Sequence, residues 1–64
     1  MWTTVYVVKG LEKAKEIQKK LKEEGFLVKV NLIKTENDEE TYEVIGPEFE
    51  SKDIEEAMIE LGIL

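Results

Sequence analysis

Hydrophobic and polar residues alternate between positions 26 and 33, the segment on which the predicted fold depends. One side of this segment, taken as an extended chain, carries only apolar residues: Phe26, Val28, Val30 and Leu32. The other side is polar in its middle: Leu27, Lys29, Asn31 and Ile33. Because successive side chains of a strand point to opposite faces, the pattern predicts a strand with one face on a core and the other partly in water.

Two further elements precede this strand. Residues 2–8 are rich in β-branched and aromatic residues and lack Gly and Pro, which predicts a first strand. We expect its two faces to carry Thr3, Val5 and Val7 on one side and Trp2, Thr4, Tyr6 and Val8 on the other. Apolar residues at helical spacing then predict a helix over residues 11–24. Gly25 is expected to end this helix in a left-handed conformation, with Phe26 contacting Leu21 in a Schellman motif.

The following residues predict a hairpin. Residues 34–40 are polar and predict a turn with Asn37-Asp38 at its tip. Residues 41–45 alternate again and predict a third strand. Gly46-Pro47 is expected to end that strand, because Pro cannot donate a backbone hydrogen bond to a central ladder. Phe49 is expected to fill one end of the core.

A second helix is expected after Pro47, with Ser51 or Asp53 as its N-cap. Its buried stripe consists of four apolar residues at helical spacing: Ile54, Ala57, Met58 and Leu61. Gly62-Ile63 repeats the stop signal of the first helix, with Met58 as the expected contact of Ile63.

These elements define one α+β domain spanning residues 1–64, in the order β-α-β-β-α. The simplest compact arrangement is a ferredoxin-like split β-α-β with a three-stranded antiparallel sheet of order 1-3-2 and two helices on one face. The helix-facing residues would be Thr3, Val5, Val7, Phe26, Val28, Val30, Leu32, Tyr42 and Val44. With no fourth strand, the first strand is left as an edge that has no Pro, no bulge signal and no charge before Lys9.

Several stretches of the chain resemble a group of short bacterial proteins of unknown function. They are the opening Met1–Val8, the segment Glu24–Val28 after the Lys-rich helix, and Tyr42–Ile45 followed by Ile54–Ala57. The named family to which this group is most similar is that of the small prokaryotic signal-transducing proteins. The resemblance implies the same β-α-β-β-α order, and it carries over no catalytic or ligand-binding residue.

The residue types present argue against catalysis. The chain contains no Cys and no His, so it lacks the thiol nucleophile, the commonest general base and the usual zinc ligands. The acids Glu36, Asp38, Glu39 and Glu40 do not have the spacing of a calcium loop and are expected to form a solvated turn. We therefore expect no enzyme activity, no cofactor and no metal site.

Charge is divided unevenly along the chain, whose net charge is −6. Residues 1–34 hold eight Lys and four Glu, whereas residues 35–64 hold one Lys and eleven acids. Two interpretations remain open: a basic helix beside an acidic helix within one domain, or a dipolar surface that steers a charged partner or a second subunit.

The same charges bear on partners and location. A negative chain without Arg opposes phosphate binding, so no nucleic-acid partner is expected. No segment has the length of a membrane span or the pattern of a signal peptide, so we expect no membrane partner and a cytoplasmic location.

Two hypotheses for function follow. The first is an interaction module, a homodimer that uses either the edge strand 2–8 or the open sheet face, with interface residues Trp2, Thr4, Tyr6, Val8, Ile33 and Ile45. Two edges could pair antiparallel, or two faces could stack; in a monomer, residues 62–64 would instead cover the edge. The second is a sensor domain that binds a small effector at the strand–helix junction Lys9-Gly10.

Overall fold

The computed structural model describes all 64 residues. It contains three strands, two helices and one 3-10 turn: β1 (Trp2–Lys9), α1 (Leu11–Glu23), β2 (Lys29–Glu36), β3 (Glu39–Pro47), the 3-10 turn Glu48–Glu50 and α2 (Ser51–Glu60). The strands form one sheet in the order β1-β3-β2, and β3 is antiparallel to both neighbours. The predicted α+β class, element order and strand order are confirmed.

Both helices pack against the same face of the sheet, which we call the covered face. A single core joins residues of both helices to this face: Ile17, Leu21, Val28, Val44, Ile54, Ala57 and Met58. The molecule measures only 16 Å along its shortest axis, which is room for one helical layer on one sheet. The opposite face therefore has no helix over it, and we call it the open face.

Both helices end as their sequences predict. Gly25 and Gly62 have positive φ angles of 94° and 78°, a region that residues with a Cβ rarely adopt. The amide of Phe26 donates to the carbonyl of Leu21 over 3.1 Å, and the amide of Ile63 donates to the carbonyl of Met58 over 2.8 Å. These are the bonds of a Schellman motif, so the motif is confirmed at both positions.

The hairpin tip lies at Asn37 and Asp38 as predicted. Their φ angles are 52° and 65°, and two adjacent left-handed residues are typical of a two-residue type I′ turn. The predicted bounds of the strands are less accurate, since β2 begins at Lys29 rather than at position 26. Residues 26 and 28 bond to α1 instead of to β3: the amide of Phe26 donates to the carbonyl of Leu21, and Gln18 Nε2 donates to the carbonyl of Val28 over 3.1 Å.

The third strand runs two residues further than predicted. Gly46 and Pro47 belong to β3, where they lie opposite Thr3 and Trp2. Pro47 is the last residue of the strand, and the 3-10 turn begins directly after it. Gly46-Pro47 therefore ends the strand as predicted, but the predicted bounds 41–45 are too short at both ends, since β3 spans Glu39–Pro47.

A β-bulge in β1 changes which side chains face the helices. Thr4 lies opposite Ile45 and Tyr6 lies opposite Val44, which leaves Val5 as an extra residue. Beyond it the alternation is shifted by one, so Tyr6 and Val8 pack against the core. The prediction that Tyr6 and Val8 lie on the open face is wrong, and so is the prediction that Val7 faces the helices.

A second bulge lies in β2, at Ile33, between Leu32 opposite Tyr42 and Lys34 opposite Thr41. Leu32 lies on the covered face but is 52% exposed. In this half of the hairpin the β2 side chains are all exposed, because the hairpin extends beyond the helices. The prediction that Leu32 is a core residue is therefore wrong.

Two predictions about the start of α2 also fail. Phe49 is 86% exposed instead of filling the core. That end of the core is already occupied, since a Cβ added to Gly46 would lie 2.7 Å from Cδ1 of the buried Ile54. Neither Ser51 nor Asp53 caps the helix, because the 3-10 turn continues directly into α2 with Glu50 at the N-cap and no side-chain hydrogen bond.

Candidate interaction surface

The open face consists of three rows of side chains that cross the sheet. In order from β1 through β3 to β2, these rows are Thr4, Ile45 and Lys29; Val7, Glu43 and Asn31; and Lys9, Thr41 and Lys34. Trp2 lies opposite Pro47, beyond the first row at the same end of the sheet. Val7 is 53% exposed and Trp2 is 38% exposed, so the face presents apolar side chains directly to solvent.

Each charge on the open face has a partner within the same chain. The ammonium of Lys29 lies 4.5 Å from the centre of the Trp2 ring, a cation–π contact. The hydroxyl of Thr4 donates to the Glu43 carboxylate over 2.6 Å. Two ion pairs complete the set, Lys9 with Glu39 at 3.7 Å and Lys34 with Glu36 at 3.8 Å.

The open face is therefore electrically neutral. Its three lysines, Lys9, Lys29 and Lys34, match its three glutamates, Glu36, Glu39 and Glu43, although the chain as a whole carries −6. A neutral surface can meet its own copy without the like-charge repulsion that the remainder of this chain would cause.

Both free edges of the sheet are irregular. β1 and β2 are the outer strands, and each contains one bulge. Bulges interrupt the ladder and protect edges from pairing with another chain. The C-terminal residues do not cover the β1 edge as a strand, because the amides of Ile63 and Leu64 bond to the Met58 carbonyl instead.

The strand–helix junction Lys9-Gly10 lines a shallow hollow of about 510 Å³ together with polar residues of the hairpin: Thr35, Asp38, Glu39 and Glu40. The Gly10 amide already donates to the Glu40 carbonyl over 2.8 Å, and Lys9 pairs with Glu39. None of the residues that line the hollow is hydrophobic. The Gly10 amide is therefore not free to bind an anionic effector, and acidic side chains would surround such an effector in the hollow.

Groups with catalytic potential are few. No group of three or more acidic side chains is arranged to hold a metal ion, and every buried side-chain nitrogen or oxygen has a hydrogen-bond partner. Tyr42 donates to Glu40 over 2.7 Å. This hydrogen bond is the main reason that the pKa of Tyr42 is raised above 10.0, with burial and the negative charge of Glu40 acting in the same direction.

Neither α1 nor α2 has the length and apolar character that a membrane-spanning helix needs.

The structure brings together only part of the predicted interface. Trp2, Thr4 and Ile45 lie on the open face, Ile33 lies at the β2 bulge, and Tyr6 and Val8 are under the helices. Val7, which was not among the predicted interface residues, is exposed on the open face. No sequence signal distinguishes it, because both sides of β1 are apolar around position 5.

Comparisons with known proteins give no relative. No family model, no curated protein and no solved structure matches the chain. The geometry of the open face is therefore the main basis for a functional argument.

Proposed function

We propose that the protein is a non-enzymatic interaction module that forms a two-fold homodimer by stacking its open sheet face on that of a second copy. Within this proposal, the fold is a ferredoxin-like split β-α-β that lacks the fourth strand, as in the small signal-transducing proteins that the sequence resembles. The observation that carries the proposal is an uncovered sheet face with exposed apolar side chains and internally balanced charge.

Face stacking has more support than edge pairing. Each edge strand carries a bulge, whereas β3, at the centre of the open face, pairs without an inserted residue of its own. A two-fold axis brings the same surface of both copies together, so that surface must not repel its own copy. The neutral open face satisfies this condition.

The size of the open face sets the expected strength of the dimer. Three strands about 4.8 Å apart and some eight residues long give a surface roughly 10–15 Å wide and about 26 Å long. Two such faces bury less than about 1,200 Å² in total, which is the range of weak and transient interfaces. We therefore expect a dimer that forms in the micromolar range and exchanges rapidly.

Val7 and Leu32 provide a matched test of the dimer. They are equally exposed, at 53% and 52%, but lie on opposite faces of the sheet. Val7→Lys should raise the dimer dissociation constant at least about tenfold, or about 1.4 kcal/mol, because it places a charge in the interface. In the monomer the new Lys lies opposite Glu43, a favourable cross-strand pair.

Sedimentation equilibrium measures the dissociation constant of each variant. Leu32→Lys should leave the constant of the wild-type chain unchanged, and Trp2 emission should shift to longer wavelength as the wild-type chain is diluted. Monomer mass at every wild-type concentration, or equal weakening by both variants, contradicts stacking through the open face.

The effector-sensor hypothesis has less support. The hollow at Lys9-Gly10 is open, polar and flanked by Asp38, Glu39 and Glu40. A thermal-shift screen of anionic and cationic metabolites tests it directly, because a ligand at a hundredfold excess over its dissociation constant stabilises the folded state by about 2.7 kcal/mol.

A further inference from the structure

Phe49 is exposed in a rigid part of the chain. Its side chain is 86% exposed, and the two residues beside it, Glu48 and Glu50, form no salt bridge. The turn is fixed at both ends. At its start the Glu48 amide donates to the Met1 carbonyl over 2.8 Å, and at its end it continues directly into α2 at Ser51. Phe49 is therefore a fixed aromatic knob between two unneutralised acids.

A small cleft on the covered side has the complementary properties. It lies between α1 and the C-terminal end of α2, has a volume of about 100 Å³ and has four apolar lining residues: Tyr6, Ile17, Leu61 and Ile63. The α1 residues at its rim are Lys13, Glu16 and Lys20. Both lysines pair with the one Glu16, at 3.4 and 3.8 Å, so the rim keeps an excess positive charge.

Knob and cleft fit each other in size and charge. A closed apolar cavity of about 150 Å³ holds a benzene molecule, so a cleft of about 100 Å³ that is partly open to solvent can take the tip of a phenyl ring. The acids beside Phe49 would then approach Lys13 and Lys20. Charge complementarity of this kind orients partners and raises their rate of association.

The knob cannot reach the cleft of its own molecule. Phe49 precedes α2, whereas Leu61 and Ile63 follow it. The ten residues of α2 separate the two sites by about 15 Å along the helix. We propose that Phe49 of one copy inserts into the cleft of a second copy, in a head-to-tail contact that leaves a free knob and a free cleft at the two ends.

This contact is independent of the open-face dimer. Phe49 and the cleft use none of the side chains that form the rows of the open face. A head-to-tail contact that does not close on itself produces open chains, so at high concentration the chain should assemble beyond a dimer. An open-face dimer alone stops at two copies.

Nuclear magnetic resonance of the 64-residue chain at increasing concentration tests the contact at residue level. We expect the amide resonances of Glu48–Ser51 and of the cleft residues Gly62 and Ile63 to shift together. In Phe49→Ala neither set should shift over the same concentration range, because the concentration for half-assembly should rise at least about tenfold. Leu32→Ala, which also removes an exposed apolar side chain but lies outside both sites, should leave the shifts unchanged.

A charge exchange tests the pairing itself. Glu48→Lys/Glu50→Lys and Lys13→Glu/Lys20→Glu should each lose assembly beyond the dimer, and an equimolar mixture of the two should regain it. Circular dichroism identifies any variant that does not fold, in which case the Phe49→Ala result decides alone. Shifts that persist in Phe49→Ala, or a wild-type chain whose two sets of resonances never shift, overturn the proposal. Loss of the open-face dimer in Val7→Lys leaves these shifts in place.

Discussion

Both faces of the sheet carry valine and other apolar side chains, but different interactions fix these side chains in place. On the covered face, Val44 is fully buried by side chains from both helices. On the open face, Val7 is 53% exposed, and neighbouring residues are positioned by individual pairs such as Thr4 with Glu43. Packing on the covered face therefore stabilises the fold, whereas the open face can exchange water for a partner without unfolding the chain.

The largest difference should appear when the same substitution is made on each face. Val44→Ala removes two methyl groups from a site with 0% exposure and should cost about 2–3 kcal/mol of unfolding free energy. Val7→Ala should cost no more than about 0.5 kcal/mol. Urea denaturation below the concentration of dimer formation measures both values. Similar costs for the two would mean that the open face is packed as well as the covered one.

The next largest effect is expected at Gly46, where the covered face lies close to α2. A Cβ at this position would lie 2.7 Å from Cδ1 of Ile54, which is fully buried and cannot easily move away. Gly46→Ala should therefore cost about 1–3 kcal/mol. Ile54→Val removes the clashing atom and should cost about 0.5–1.5 kcal/mol by itself.

The double variant isolates the clash. If Gly46→Ala is destabilising because of Cδ1, the cost of Gly46→Ala/Ile54→Val should be smaller than the sum of the single costs, by at least about 0.5 kcal/mol. Thermal denaturation of the four proteins completes the cycle. Strict additivity would show that the close approach of α2 is not the reason for glycine at position 46.

A smaller effect separates two lysines of the open face. Lys29 lies over the Trp2 ring at 4.5 Å, an exposed cation–π contact worth about 0.5–1 kcal/mol. Lys34, on the same strand, forms only an exposed ion pair with Glu36, which contributes little. Lys29→Ala should therefore destabilise the chain more than Lys34→Ala in urea denaturation, and only Lys29→Ala should change Trp2 fluorescence. Equal effects contradict a specific contact between Lys29 and Trp2.

The sequence predicts the central strand and the helix ends better than it predicts the edges. Along β3 the alternation is uninterrupted, with Tyr42 and Val44 on the covered face and Glu43 and Ile45 on the open face, as predicted. The helix ends were predictable because Gly25 and Gly62 act through their own backbone conformation. These features depend on the residues themselves or on pairing to both sides.

The bulges at Val5 and Ile33 could not be predicted in the same way. Val5 lies within a run of apolar residues, so its sequence is compatible with either register. An edge strand is paired on one side only, and its register can change without breaking a second ladder. The predicted face was accordingly right for Trp2 and Thr4, which precede the bulge, and wrong for Tyr6 and Val8, which follow it.

The last prediction concerns the covered face at its hairpin end, and it is tested in alkaline solution. The hydrogen bond from Tyr42 to Glu40, together with burial and the Glu40 charge, raises the pKa of Tyr42 above 10.0. The folded state therefore holds this proton more tightly than the unfolded chain does. The resulting stabilisation is complete below pH 10.0 and is lost as the pH rises through the folded-state pKa of Tyr42.

Tyr42→Phe and Glu40→Gln separate the contribution of Tyr42 from that of the lysines, which also lose charge in alkaline solution. The nine lysines are the same in the wild-type chain and in both variants, so their contribution is common to all three. The melting temperature of Tyr42→Phe should fall less steeply above pH 10.0 than that of the wild-type chain, because Phe has no proton to lose. Glu40→Gln should return the pKa of Tyr42 toward 10.0, since it removes the negative acceptor, and absorbance of the phenolate follows this directly. A wild-type chain and Tyr42→Phe with parallel alkaline profiles would show that the Tyr42–Glu40 bond does not contribute to the stability of the covered face.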